Sequence, residues 1–144
     1  MPFRLSDMTT HTHRGGCHCG GLRIEADLNV LEPATPYGAP IRCNCTFCRK
    51  RGAVTMMIAP SAFRVTHDET EARYEPKPHI GYFGFCGRCG VHVYARGHLD
   101  LLGGDFVTVN LDVLDDVPRE KVKVAVLDGR DETWTVVGTG PMLG

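Results

Sequence analysis

Seven cysteines in three short clusters constrain this chain more than any other feature: Cys17-His18-Cys19, Cys43-Asn44-Cys45-Thr46-Phe47-Cys48 and Cys86-Gly87-Arg88-Cys89. An odd count leaves one sulfur over in any fully paired disulfide scheme. Cysteines one or two residues apart present their sulfurs from a single turn, which is how a chelating loop grips a thiophilic metal. A structural Zn²⁺ takes four ligands in a tetrahedron, usually two from each of two such loops. With each cluster kept intact only the two pairs sum to four, so Cys17, Cys19, Cys86 and Cys89 are expected on one zinc. That clasp would tie the start of the chain to a turn far downstream and close most of the domain. Gly87 and Gly90 flank positions where a tight knuckle needs backbone freedom, and Arg88 can face the anionic four-thiolate centre.

Cys43, Cys45 and Cys48 then have no fourth cysteine. Three protein ligands with one open position is the pattern of a catalytic zinc, which binds water, polarises a carbonyl or holds a substrate thiolate. Two Zn²⁺ per chain are therefore expected. Three thiolates leave a metal weakly electrophilic, so holding an external thiolate fits at least as well as making hydroxide. Spacing alone leaves two other readings open. A carboxylate or one of His18, His79, His92 and His98 completes a second closed site, or the trio is redox-active without metal.

A chain of 144 residues suits one domain with a real core. The formal charge of −1 falls to roughly −4 once seven ligating thiols ionise around two Zn²⁺. No basic excess points to nucleic acid. No apolar run approaches the roughly 20 residues of a membrane span, and the first residues lack the apolar centre of a secretory signal, so a cytoplasmic protein is expected. In that reducing compartment clustered cysteines serve as ligands or redox groups rather than disulfides. Nothing in the sequence speaks to oligomeric state.

Residues 1–14 are polar and without period and read as a flexible arm, leaving 15–144 as the domain. The run LRIEADL at 22–28 alternates as a half-buried strand, whereas 29–40, with three prolines and a glycine, is a loop. IRC is a short extended stretch, CTFCRKRG a helical turn ended by Gly52, and VTMMIA a buried strand. RVT, EARYEP, GYFGF, VHVYARG, FVTVNL, KVKVAVL and ETWTVV are short, rich in β-branched and aromatic residues, and divided by Gly, Pro or Asp. The fold class is mainly β: a single zinc-bearing domain of short antiparallel strands, with short helical turns near Ser61 and over 112–116.

The segments GCHCGGLR, CNCTFCRKRGA, FCGRCGVHVY and VNLDVLDD resemble, in order, the motifs of the glutathione-dependent formaldehyde-activating family, which includes the domain of centromere protein V. The resemblance runs from about residue 16 to 116 and keeps the order of all seven cysteines. It implies a zinc-bearing β-tent, with Cys17, Cys19, Cys86 and Cys89 as the structural site and Cys43, Cys45 and Cys48 as the catalytic one. It implies carbon–sulfur lyase chemistry in which glutathione, a small-molecule thiol, and formaldehyde, a small aldehyde, combine reversibly to S-(hydroxymethyl)glutathione.

Within the matched motifs, Arg49 and Lys50 are candidates for glutathione's carboxylates. His92, sharing a strand face with Tyr94, is a candidate acid, and Asn110 and Asp115 match late family positions. A non-enzymatic binding module with an interaction surface at 49–51, or a zinc storage or delivery protein, would use the same cysteines.

Overall fold

Apolar residues at every second position make Arg23–Leu28 a strand: Ile24, Ala26 and Leu28 are buried while Arg23, Glu25 and Asp27 between them are not. The computed structural model describes residues 10–32, 38–78, 80–100 and 103–143. In chain order the strands are β1 (His11–Gly16), β2 (Arg23–Leu28), β3 (Ile41–Cys43), β4 (Thr55–Ile58), β5 (Phe63–His67), β6 (Glu71–Tyr74), β7 (Gly81–Cys86), β8 (His92–Leu99), β9 (Gly104–Asn110), β10 (Lys123–Leu127) and β11 (Val136–Pro141). The one α-helix among the described residues, α1 (Thr46–Arg51), joins β3 to β4. No helix of the described residues is long and apolar enough to cross a membrane.

The strands form two sheets, β1-β2-β5 and β11-β10-β3-β4-β9-β8-β7-β6. The protein is thus mainly β, as expected. Pairing is antiparallel except between β3 and β10, which run parallel with Cys43 opposite Leu127. One apolar cluster joins the sheets: Ile24, Leu28 and Phe63 from the small one, with Met56, Tyr94, Val107, Val109 and Val124 from the large one. Phe63 and Tyr94 meet across it with ring centroids 4.9 Å apart.

Two expectations change. The flexible arm does not reach residue 14, because β1 begins at His11; residues 1–9 lie outside the described set. The inward positions of β1 are His13 and Gly15, neither apolar, so no hydrophobic period betrays the strand. Gly15 is required there, since a Cβ would stand 2.0 Å from the Val113 carbonyl oxygen, where β1 bridges to Leu114. ETWTVV is mostly not a strand: Glu132 and Trp134 take positive φ (59° and 55°), and β11 starts only at Val136. Within the proline-rich loop, residues 33–37 lie outside the described set, as does His79.

Candidate functional site

The first cysteine pair follows β1 and the last ends β7. A turn closed by Cys17 N–H to Leu22 O (2.9 Å) brings Cys19 back beside Cys17. The knuckle at Cys86 closes through Gly90 N–H to Cys86 O (2.8 Å), with Gly90 at φ +80°. The four Sγ atoms all lie within 4.8 Å of one another. Cys17 to Cys19 is 3.7 Å and Cys19 to Cys86 is 3.5 Å, close to the edge of about 3.8 Å set by a tetrahedron of Zn–S bonds. Main-chain N–H groups of Arg88 and Cys89 donate to Cys86 Sγ (3.3 and 3.2 Å), and Leu22 N–H donates to Cys17 Sγ (3.3 Å). Burial opposes ionisation of Cys86, yet those donors and the Thr70 hydroxyl outweigh it and pull its thiol down to about 5. The donor set and its spacing fit zinc.

The second cluster is local. Cys43 ends β3, Cys45 caps α1 by accepting from Cys48 N–H (3.3 Å), and Cys48 lies one turn in. Gly52 at φ 69° stops the helix, its N–H bonded to the Cys48 carbonyl. The three Sγ atoms lie within 4.8 Å of one another, all partly exposed, and no histidine or carboxylate of the described residues joins them. Burial works against ionising Cys45, but N–H groups of Cys48 and Phe47 and the adjacent thiols hold it below the ordinary value. Burial pushes the Cys48 thiol up to about 12 against the attraction of Arg51. Three thiols this close ionise together only beside a cation, which is what a soft divalent metal supplies.

A loop after β10 braces the trio. Asn44 donates to Asp128 Oδ1 (3.2 Å) and accepts from Arg130 N–H (2.9 Å). Asp128 is buried and also takes the Thr133 hydroxyl at 2.6 Å. Gly129 lies against the sulfurs, where a Cβ would stand 2.6 Å from Cys43 Sγ.

On the other side stands Arg51. Its Nη2 donates to Cys48 Sγ (3.5 Å) and its Nη1 to His92 Nε2 (3.3 Å). The guanidinium sits between two rings, 5.1 Å from the Phe47 centroid and 5.0 Å from that of Phe83. Arg51 Nε and His92 Nδ1 are buried without a partner among the described residues. Burial, then the charge of Arg51, pushes His92 down to about 4, so it is neutral near pH 7. A bulge opposite Gly84 and Phe85 separates His92 from Tyr94. Tyr94 packs into the core on Phe63, whereas His92 turns to Phe83 and Arg51, so the two do not share a face as strict alternation predicts.

Residues 12–135 match the family model described as glutathione-dependent formaldehyde-activating enzyme. The chain belongs to this family. It is also similar to a crystal structure of a Rhodobacter sphaeroides protein, at 30% identity and a TM-score of 0.58, over 74% of this chain and 92% of that one.

Set in this formaldehyde-activating family member, the other residues singled out by sequence fall unevenly around the trio. His92 is beside it through Arg51. Asn110 is buried one step behind, its Nδ2 on the His92 carbonyl (2.8 Å) and its Oδ1 on Asp112 N–H (3.0 Å). Asp115 is not brought to the trio: it is exposed, paired with Arg23 at 3.1 Å, and lines a cleft with Cys17 and His18. Arg49 and Lys50 are exposed on α1 and bonded to no described side chain. His98 is held by Asp105 and Asp100 at 2.6 and 2.9 Å.

Arg51 and the Asp128–Gly129 brace escaped the sequence reading. Arg51 was findable, because a residue three after Cys48 on a helix shares its face. The brace was not, since nothing local in DGRDETWT points to a sulfur 86 residues earlier in the Gly129–Cys43 contact (129 − 43).

Proposed function

We propose that this protein is a zinc-dependent carbon–sulfur lyase that makes or breaks S-(hydroxymethyl)glutathione in the cytoplasm. The observation that carries the reading is the trio: three half-exposed thiols within bonding reach of one ion, joined by no described histidine or carboxylate, with a guanidinium on one sulfur. When bound there, zinc supplies Lewis acidity that lowers the proton affinity of an incoming thiol. In the forward direction the glutathione sulfur forms a bond to the aldehyde carbon. The C=O π pair moves onto oxygen, and the proton lost by the thiol ends there as the hydroxyl.

The chain's residues have separate parts in this scheme. Cys43, Cys45 and Cys48 hold the ion, fixed by Asn44 and the Asp128 brace. Arg51, held on Cys48 Sγ, supplies the positive charge beside the trio that favours the developing oxyanion. His92, neutral, holds the guanidinium through Nε2, and Asn110 fixes the backbone that carries His92. Arg49 and Lys50 attract an anionic thiol at long range. Asp115 has no part in the chemistry. Cys17, Cys19, Cys86 and Cys89 hold a second zinc that only stabilises the fold.

The test replaces zinc with cobalt and adds glutathione at millimolar concentration. The visible bands of the trio shift in the wild type and not in Cys45→Ser, and NMR exchange between free formaldehyde and the adduct accelerates only with the wild type. An unchanged cobalt spectrum overturns the reading.

A further inference from the structure

A cleft of about 420 Å³ opens beside the C-terminal end of α1, lined by Arg42, Arg51, Asn110, Asp112 and Arg119 together with small residues and Met142. Three arginines and one aspartate line it, a local excess of positive charge in a chain whose formal total is −1, although the Arg51 guanidinium is itself held on Cys48 and His92. The carboxylate is already engaged. Asp112 Oδ1 accepts from Arg119 Nη1 at 2.6 Å, and Oδ2 lies 3.4 Å from Val54 N–H. Asn110 spends both ends of its amide on His92 and Asp112, so it neither adds nor removes charge. The Arg42 side chain is exposed and has no hydrogen bond or ion pair among the described residues. Arg42 is therefore the cleft's uncommitted cation, with the Arg119–Asp112 pair beside it.

The position of the cleft gives an anion bound there a role. Arg42 directly precedes Cys43 on β3, and Arg51 lines the cleft while touching Cys48 Sγ. An anionic group several bonds from a thiol can thus enter the cleft while the sulfur sits at the trio. Planar forks of this kind grip carboxylates in bidentate fashion. We infer that the cleft of Arg42, Arg51 and Arg119 is the subsite for a carboxylate of the thiol substrate, and that it selects acidic thiols over neutral ones. Arg49 and Lys50, which do not line the cleft, supply no direct contact. The inference rests on the thiol-and-aldehyde reading above and deepens it.

The probe is S-methylglutathione, which keeps both carboxylates and has no thiol to ligate metal, titrated calorimetrically into the metal-loaded full chain. Arg42→Ala weakens its binding by about tenfold or more, the usual effect of losing a charge-assisted contact. Arg42 has no partner to strand, so the variant folds. In turnover, Arg42→Ala raises KM for glutathione with kcat preserved and leaves KM for 2-mercaptoethanol unchanged. Equal binding of S-methylglutathione by wild type and Arg42→Ala, or none by the wild type, overturns the subsite. The two ideas fail separately. Turnover of glutathione with Arg42-independent binding removes only the subsite, and Arg42-dependent binding without turnover removes only the reaction.

Discussion

The two cysteine clusters use one residue type and differ in what each ties together. In the four-thiol cluster, Cys17 follows a strand of the small sheet and Cys86 ends a strand of the large one, and both are buried. The trio comes from six consecutive residues, is half exposed, and joins nothing that the chain does not already hold adjacent. A long-range clasp restrains the unfolded chain and closes the domain; a local cluster cannot. The difference separates fold from chemistry in a molecule whose ligands are chemically alike.

The widest gap should appear between Cys86→Ser and Cys48→Ser. Losing a structural metal is among the few single changes that cost more than about 4 kcal/mol, so Cys86→Ser should express poorly or unfold far earlier in urea with zinc present. Cys48→Ser should stay within about 1 kcal/mol of the wild type, since only a partly exposed local site is lost. It should also bind one zinc fewer than the wild type. Equal destabilisation by the two variants would break the comparison.

A second contrast lies in the arginines. Each site has one beside its sulfurs: the Arg88 guanidinium, on an exposed knuckle, is held protonated by Cys19, whereas Arg51 reaches Cys48 from between two aromatic rings. Water screens the first far more than the second. Arg51→Gln should lower kcat/KM by about 10- to 100-fold, the worth of a charged hydrogen bond in a partly desolvated place. Arg88→Gln should change it by less than about twofold. Arg51→Lys should recover little, because one ammonium cannot reach Cys48, His92 and an oxyanion in a fixed plane. Full recovery would reduce Arg51 to a point charge.

The same division governs what was legible in the sequence. Ligand pairs one or two residues apart announce themselves, and the alternation in Arg23–Leu28 announces a strand, because both are local patterns. β1 was silent because its inward residues are His13 and Gly15, and the parallel pairing of β3 with β10 leaves no mark on either strand. The turn over 132–135 hides for a similar reason. Thr, Trp and Val promise a strand, but Asp128 gathers Thr133 and the backbone of Asp131 into a turn that forces positive φ at Glu132 and Trp134. Strict period two puts His92 and Tyr94 on one face, and a single bulge sends them to different ones.

The last expected effect is the most selective. Gly129 does not have positive φ, so alanine suits its backbone. The new methyl would stand 2.6 Å from Cys43 Sγ, 3.0 Å from the Trp134 ring and 3.3 Å from Cys45 Cβ. Trp134 is 60% exposed and can swing away, but Cys43 can yield only by moving its sulfur away from Cys45 and Cys48 and so off any ion the three would hold. Overpacking of this kind costs about 1–3 kcal/mol, so Gly129→Ala should weaken zinc at the trio by about 5- to 150-fold. The four-thiol site, fed by other loops, should keep its affinity. A chelator titration that resolves the two metals reads both at once: one early release shifted and one late release unmoved sharpens the division, whereas two shifted releases would mean that the trio and the clasp are mechanically coupled.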